Sequence, residues 1–136
     1  MSRALILSLL LALTACGPPD SCDPAKRSGT YELESDEISG DCGPLDTTLV
    51  RLEPGADPGS NGCSLLAADR LSEGNCTLER SIACPSGTGN RILATAITTQ
   101  MDDSGDVIEG KINYIIEDNS GRQLCHSLYD VIFERQ

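Results

Sequence analysis

The chain predicts an all-β domain, an antiparallel meander that closes as a small barrel or folds as a sandwich and is braced by disulfides. Three observations predict it. Apolar and polar residues alternate over short stretches, as they do on a strand with one wet face. Polar, glycine-bearing turns separate those stretches at short intervals. Six cysteines from Cys22 onward (Cys22, Cys42, Cys63, Cys76, Cys84 and Cys125) form an even set, which in an oxidising compartment reads as three bridges. Nothing in the pattern suggests a βαβ unit.

Within residues 29–136, Thr30 to Glu34 alternates, with Tyr31 and Leu33 on one face and Glu32 and Glu34 on the other. Ser39 to Pro44 reads as a turn. Thr48 to Glu53 forms a second strand with Val50 and Leu52 inward. Pro54 to Gly62, rich in proline and glycine, is a loop. Ser64 to Leu71 has a helix-forming composition but a strand neighbourhood, and the balance tips to strand. Thr77 to Cys84 carries Leu78, Ile82 and Cys84 on one side, and Pro85 to Asn90 turns the chain. Arg91 to Met101 is rich in Ile and Thr, which suit a pleated surface. Asp102 to Asp106 is a hairpin loop, and Val107 to Glu117 returns with Ile108, Ile112, Tyr114 and Ile116 in phase. Asp118 to Gly121 is a second hairpin loop. Leu124 to Arg135 ends the domain, with Cys125, Ser127, Tyr129, Val131 and Phe133 on one face.

Laid out as an up-and-down trace, with a turn centred on Glu73-Gly74, the strands place Cys63 across from Cys84. Cys42 and Cys76 then share one end of the meander, and Cys22 and Cys125 the other. Cys76 and Cys84 cannot bond each other, because eight extended residues separate them by ~26 Å.

The N-terminus carries a different signal. Arg3 precedes the apolar run Ala4 to Leu13, and Leu13-Thr14-Ala15-Cys16 follows. The run falls well short of the ~20 residues that span a bilayer, and Gly17-Pro18-Pro19 ends any helix. Basic start, apolar centre and small residues before a cysteine make residues 1–15 a secretory leader. The four residues Leu13 to Cys16 resemble the lipobox of bacterial lipoproteins. That resemblance implies cleavage before Cys16, acylation of its thiol and amine, and stable membrane attachment through more than one acyl chain. Gly17 stands where an Asp would favour inner-membrane retention, so the family rule implies the outer membrane. Residues 16–28 are then a proline-stiffened tether fastened to the body by Cys22. The body, through Gly29-Thr30-Tyr31, Ser39-Gly40-Asp41-Cys42-Gly43 and Cys125 to Val131, resembles small uncharacterised cysteine-rich lipoproteins of Gram-negative bacteria. Those motifs are structural and imply no activity.

Ten basic and twenty-one acidic side chains give the chain a net charge of −11, and loss of a leader containing Arg3 makes it −12. Such a surface disfavours nucleic acid and anionic lipid head groups and would steer a basic protein partner. With no Trp and only three Tyr and one Phe, stability must lean on aliphatic packing and bridges.

Candidate chemistry is sparse. His126 is the single histidine, and Ser127 beside it points to the opposite face of a strand. Asp102-x-Ser104-x-Asp106 has the start of a calcium-loop spacing, but Val107 and Asn113 stand where that loop needs Gly and Glu. Ser86-Gly87-Thr88-Gly89 lacks the Lys and helix of a phosphate loop. Zinc is disfavoured by the absence of Cys-x-x-Cys and by the lone histidine. The expectation is a lipid-anchored envelope protein with a structural or binding role, no catalytic residues, no metal and no cofactor. The alternative is an acidic inhibitor of a basic secreted enzyme such as a lysozyme.

Overall fold

The computed structural model describes residues 24–45, 49–52, 62–72, 76–101 and 104–136. The leader, Cys16, Cys22, the tether up to residue 23, the body of the Pro54 to Gly62 loop and the Glu73-Gly74 turn lie outside these residues. Among the described residues there is one 3-10 turn, Pro24–Arg27, and no α-helix. The strands are β1 (Gly29–Gly40), β2 (Leu49–Leu52), β3 (Ser64–Leu65), β4 (Arg70–Ser72), β5 (Thr77–Pro85), β6 (Arg91–Gln100), β7 (Val107–Glu117) and β8 (Gln123–Arg135). They form one antiparallel sheet in the order β2-β1-β8-β7-β6-β5-β3, with β4 also on β5. The sheet curls into a half-barrel, with β2 at one edge and β3 and β4 at the other.

The strand from Leu124 follows its sequence period closely. Ser127, Tyr129, Val131 and Phe133 are buried, and the residues between them face outward. Tyr31 and Leu33 join them from β1, and Ile108 from β7, to form the core, against which Leu45, Val50, Leu52, Ile112 and Tyr114 pack. Tyr31 meets Phe133 edge to face at 6.4 Å between centroids, and Tyr114 meets Tyr129 likewise at 6.1 Å. Each such contact adds ~0.5–1.5 kcal/mol beyond its buried area, so the four aromatics are concentrated where they contribute most.

β1 is much longer than its alternating segment. Ser35 to Gly40 has poor strand propensity, yet it is held in the sheet by β8: Asp36 pairs with Asp130, Glu37 with Tyr129 and Gly40 with Ser127. A bulge between Glu37 and Ser39 absorbs the exposed Ile38. Gly40 is obligatory here, because at its φ of 131° a side chain would collide with Ser127 and the His126 carbonyl. The turn predicted from Ser39 therefore begins only at Asp41. Ser64 to Leu71 is two short strands with a break between them. β4 alone, in its register with β5, would set Cys63 across from Ser86. The break absorbs two residues and brings Cys63 opposite Cys84.

The bridge Cys63–Cys84 is the one expected. The other two expected pairs, Cys42–Cys76 and Cys22–Cys125, are corrected by a bridge between Cys42 and Cys125. The reason is the length of β1. Its pairing with β8 runs to Gly40 opposite Ser127, so Cys42 arrives beside Cys125. Cys76 is also disulfide-bonded, but it sits at the other end of the sheet, next to Thr77, which pairs with Thr99. The nine residues of β5 alone span ~30 Å.

At that second end the 3-10 turn is locked down by two arginines. Arg27 is buried, 1% exposed. It donates to the Thr98 carbonyl at 3.4 Å, the Thr98 hydroxyl at 3.2 Å and the Cys76 carbonyl. Arg135 donates to the carbonyls of Ser28 at 2.6 Å and Lys26 at 2.5 Å and to Asp106 at 2.9 Å, and its guanidinium lies 5.0 Å above the Tyr31 ring. The Tyr31 hydroxyl donates to Gly105 at 2.8 Å.

Two outcomes follow for denaturation by urea. Replacing both Cys42 and Cys125 by Ser should cost about 4 kcal/mol, and the same change at Cys63 and Cys84 about 3 kcal/mol, because the first bridge closes 83 residues of sequence separation and the second 21. Arg27→Met should cost about 2 kcal/mol, since it leaves the Thr98 and Cys76 carbonyls without their donor.

Candidate functional site

The inner face of the curled sheet carries the core, and the outer face carries a groove. Outward positions of four neighbouring strands line up in rows across the sheet. Asp36, Asp130, Lys111 and Ile97 make one row from β1 to β6, and Glu34, Ile132, Glu109 and Thr99 make the next. These residues surround a groove of about 570 Å³, whose floor is the chain at Gly110 and Val131. A side chain at Gly110 would run into the Ile97 carbonyl and come within 2.9 Å of the Thr98 Cα. Glycine here lets β6 and β7 approach closely.

The groove is apolar at its centre and acidic at its rim. Ile97 is 47% exposed and Ile132 38%, on a face where alternation calls for polar residues. Glu34, Asp36, Glu109 and Asp130 ring them against a single cation, Lys111. Lys111 reaches Asp130 at 2.5 Å, but both side chains are more than half exposed, so the pair contributes ~1 kcal/mol at most. Asp36 faces Asp130 directly across β1 and β8, and Glu32 faces Glu134 in the same way. Like charges in directly opposed positions destabilise a sheet by ~0.2–1 kcal/mol each.

A second cavity, about 260 Å³, lies on the inner face between Leu33, Leu45, Val50, Ile82, Ile112 and Phe133. Most of these residues belong to the core cluster or pack against it. The Arg80 guanidinium lies 3.5 Å from the Asp69 carboxylate.

The structure sets His126 and Ser127 on opposite faces of β8. His126 is exposed, with Nε2 2.5 Å from the Asn113 side-chain oxygen. Ser127 is buried on the other face, where its hydroxyl donates to Glu37 and accepts the Cys42 N–H at 2.8 Å. Asp41, Cys42 and Cys125 converge within 4.8 Å, but the two sulfurs are bonded to each other. Of the calcium-like triplet, Asp106 is engaged by Arg135 and its N–H by Ser104. Ser86 to Gly89 is a hydrogen-bonded turn. In the second hairpin loop, the Ser120 hydroxyl and the Arg122 backbone N–H hold the Asp118 carboxyl at about 2, below its ordinary 3.8. Burial lowers the Arg27 guanidinium from its ordinary value, opposed by Tyr31. Among the described residues no helix is long and apolar enough to cross a membrane. Cys16 and Cys22 lie outside them.

Composition did not reveal the groove, though two residues signalled it. Ile97 and Ile132 fall in the wet phase of their strands, out of step with the alternation around them. No family model, curated protein or solved structure matches the chain.

If the outward acids of β1 and β8 repel as their register requires, Asp36→Asn and Glu134→Gln should each stabilise the fold by about 0.5 kcal/mol at low ionic strength. Both gains should shrink in high salt. Urea titration at two salt concentrations checks this.

Proposed function

We propose that this chain is a lipid-anchored lipoprotein of the bacterial cell envelope, held at the outer membrane through Cys16, and that its β domain binds a partner and does not catalyse a reaction. The observation that carries the binding role is the outer groove. It exposes isoleucine inside a ring of carboxylates on a face the core does not need, at some cost to sheet stability. The opposed placement of His126 and Ser127 supports the non-catalytic part.

The anchor is supported by cysteine accounting. Cys42, Cys63, Cys76, Cys84 and Cys125 are all disulfide-bonded. Two cysteines remain in the sequence, Cys16 and Cys22, and Cys76 needs one of them. Pairing Cys22 with Cys76 leaves Cys16 as the odd thiol, at the position where the lipobox assigns the lipid. Mass spectrometry of the chain expressed with its leader in a Gram-negative host tests this. The expected species begins at Cys16, carries diacylglycerol and yields a crosslinked peptide containing Cys22 and Cys76. An intact leader, or a free thiol at Cys16, overturns the anchor.

The acid rim also favours a second reading, an inhibitor of a basic secreted enzyme such as a lysozyme. Its groove acids outnumber the single lysine four to one. Capture by immobilised lysozyme at low salt, lost at high salt, would support it, and no capture at low salt would dismiss it.

A further inference from the structure

We propose that the outer face of β1 and β8 receives an extended basic segment of a protein partner, one in which two basic side chains flank an apolar one at alternate positions (basic-x-apolar-x-basic). The inference rests on reading the outer groove as the binding face and extends that face one rung past the groove lining, to Glu32 and Glu134.

Three consecutive outward rungs of the β1–β8 ladder carry the argument. The first is Asp36 with Asp130, the second Glu34 with Ile132, and the third Glu32 with Glu134. Acid pairs stand at both ends, and the middle rung holds an isoleucine that is 38% exposed. Successive outward rungs are two residues apart, so the acid pairs are ~13 Å apart with the apolar contact midway. A second extended chain has the same two-residue period. Five of its residues, read on one face, present basic, apolar and basic groups at matching spacing. A helix rises only ~1.5 Å per residue and needs about nine residues to cover that distance.

Charge complementarity selects the sign of the partner. Each end rung sets two carboxylates directly opposite each other, and a cation placed between them relieves the repulsion as well as forming its own pairs. Of the four carboxylates, Asp130 is reached by Lys111, and Glu32 accepts from the neutral Gln136 amide at 3.1 Å. The apolar middle rung distinguishes a peptide from a simple metal cation, which has no group to cover Ile132. β8 is flanked by β1 and β7, and β2 covers β1 from Gly29 to Glu32; the matching groups stand on the outer face, so the segment is recognised through side chains across that face and not by adding a strand.

The test uses the full chain, acylated and held in detergent micelles. Capped peptides Lys-Thr-Leu-Thr-Lys and Lys-Lys-Leu-Thr-Thr, of equal composition, are titrated in at low ionic strength with backbone amide shifts as the readout. The first peptide should bind roughly three- to fivefold more tightly than the second, corresponding to one misplaced charge and its lost contact. Its shifts should centre on Glu32 to Asp36 and Asp130 to Glu134. The double variant Asp36→Asn, Glu134→Gln should lose roughly tenfold for the first peptide, which uses both end rungs, and roughly threefold for the second, which uses one. These substitutions relieve repulsion, so misfolding does not confound them. Equal affinity for the two peptides overturns the spaced motif while leaving an acidic binding groove intact. No shift in the groove with either peptide overturns both the motif and the groove as a site for basic partners.

Discussion

The structure depends on the pairing of its first strand with its last. β1 and β8 lie side by side near one end of the strand order, and between them they carry Tyr31, Leu33, Tyr129, Val131 and Phe133 of the core. A long-range antiparallel pair of this kind closes nearly the whole chain into one loop, which is entropically costly. Both ends of the ladder are therefore fastened. The Cys42–Cys125 bridge holds one end. At the other, Arg135 of β8 donates to the residues just ahead of β1, and Arg27 joins that same stretch to β6 and to Cys76. Tyr31 sits between the two arginines, its ring under Arg135 and its hydroxyl bonded to Arg27 and Gly105.

That fastening explains how the outer face tolerates its own charges. Two like-charge rungs cost the sheet ~0.4–2 kcal/mol together. One long-range bridge contributes about 4 kcal/mol against that, and the edge-to-face aromatic contacts add about 1 kcal/mol each. The ladder can therefore carry unfavourable outward pairs without opening. A protein selected only for stability would gain by neutralising one member of each rung. In the proposed reading, a partner supplies the missing positive charge and covers the isoleucine between the rungs.

The inner face was legible in the sequence and the outer face largely was not. Burial writes itself as a period of two, so Ser127 to Phe133, Tyr31 with Leu33, and the Ile108 to Ile116 phase could be read directly. Ser35 to Gly40 could not, because its strand character comes from β8 and not from its own residues. Missing that half of β1 moved Cys42 to the wrong end of the sheet and misassigned its partner. Cys63 and Cys84 were easier because they lie on strands close in sequence. Arg27 gave no signal at all, since a basic residue beside a proline turn reads as surface until the carbonyls that accept its protons are in place. The groove left only the out-of-phase isoleucines, whose meaning needs the neighbouring strands to be known.

With a lipid on Cys16, the geometry also constrains where the binding face can work. Seven residues lie between Cys16 and Pro24, where the 3-10 turn begins, and the eight steps reach ~28 Å at full extension. The anchor therefore delivers its pull to the arginine-fastened end of the β1–β8 ladder. The rung of Glu32 and Glu134 is the first acid pair inward from that end, so the proposed docking face would begin beside the proposed point of attachment. An extended partner lying along the ladder would add contacts to the very strands through which the tether pulls. Binding and anchorage would thus act on the same strand pair, and a partner that neutralises its rungs would strengthen the domain where it is held.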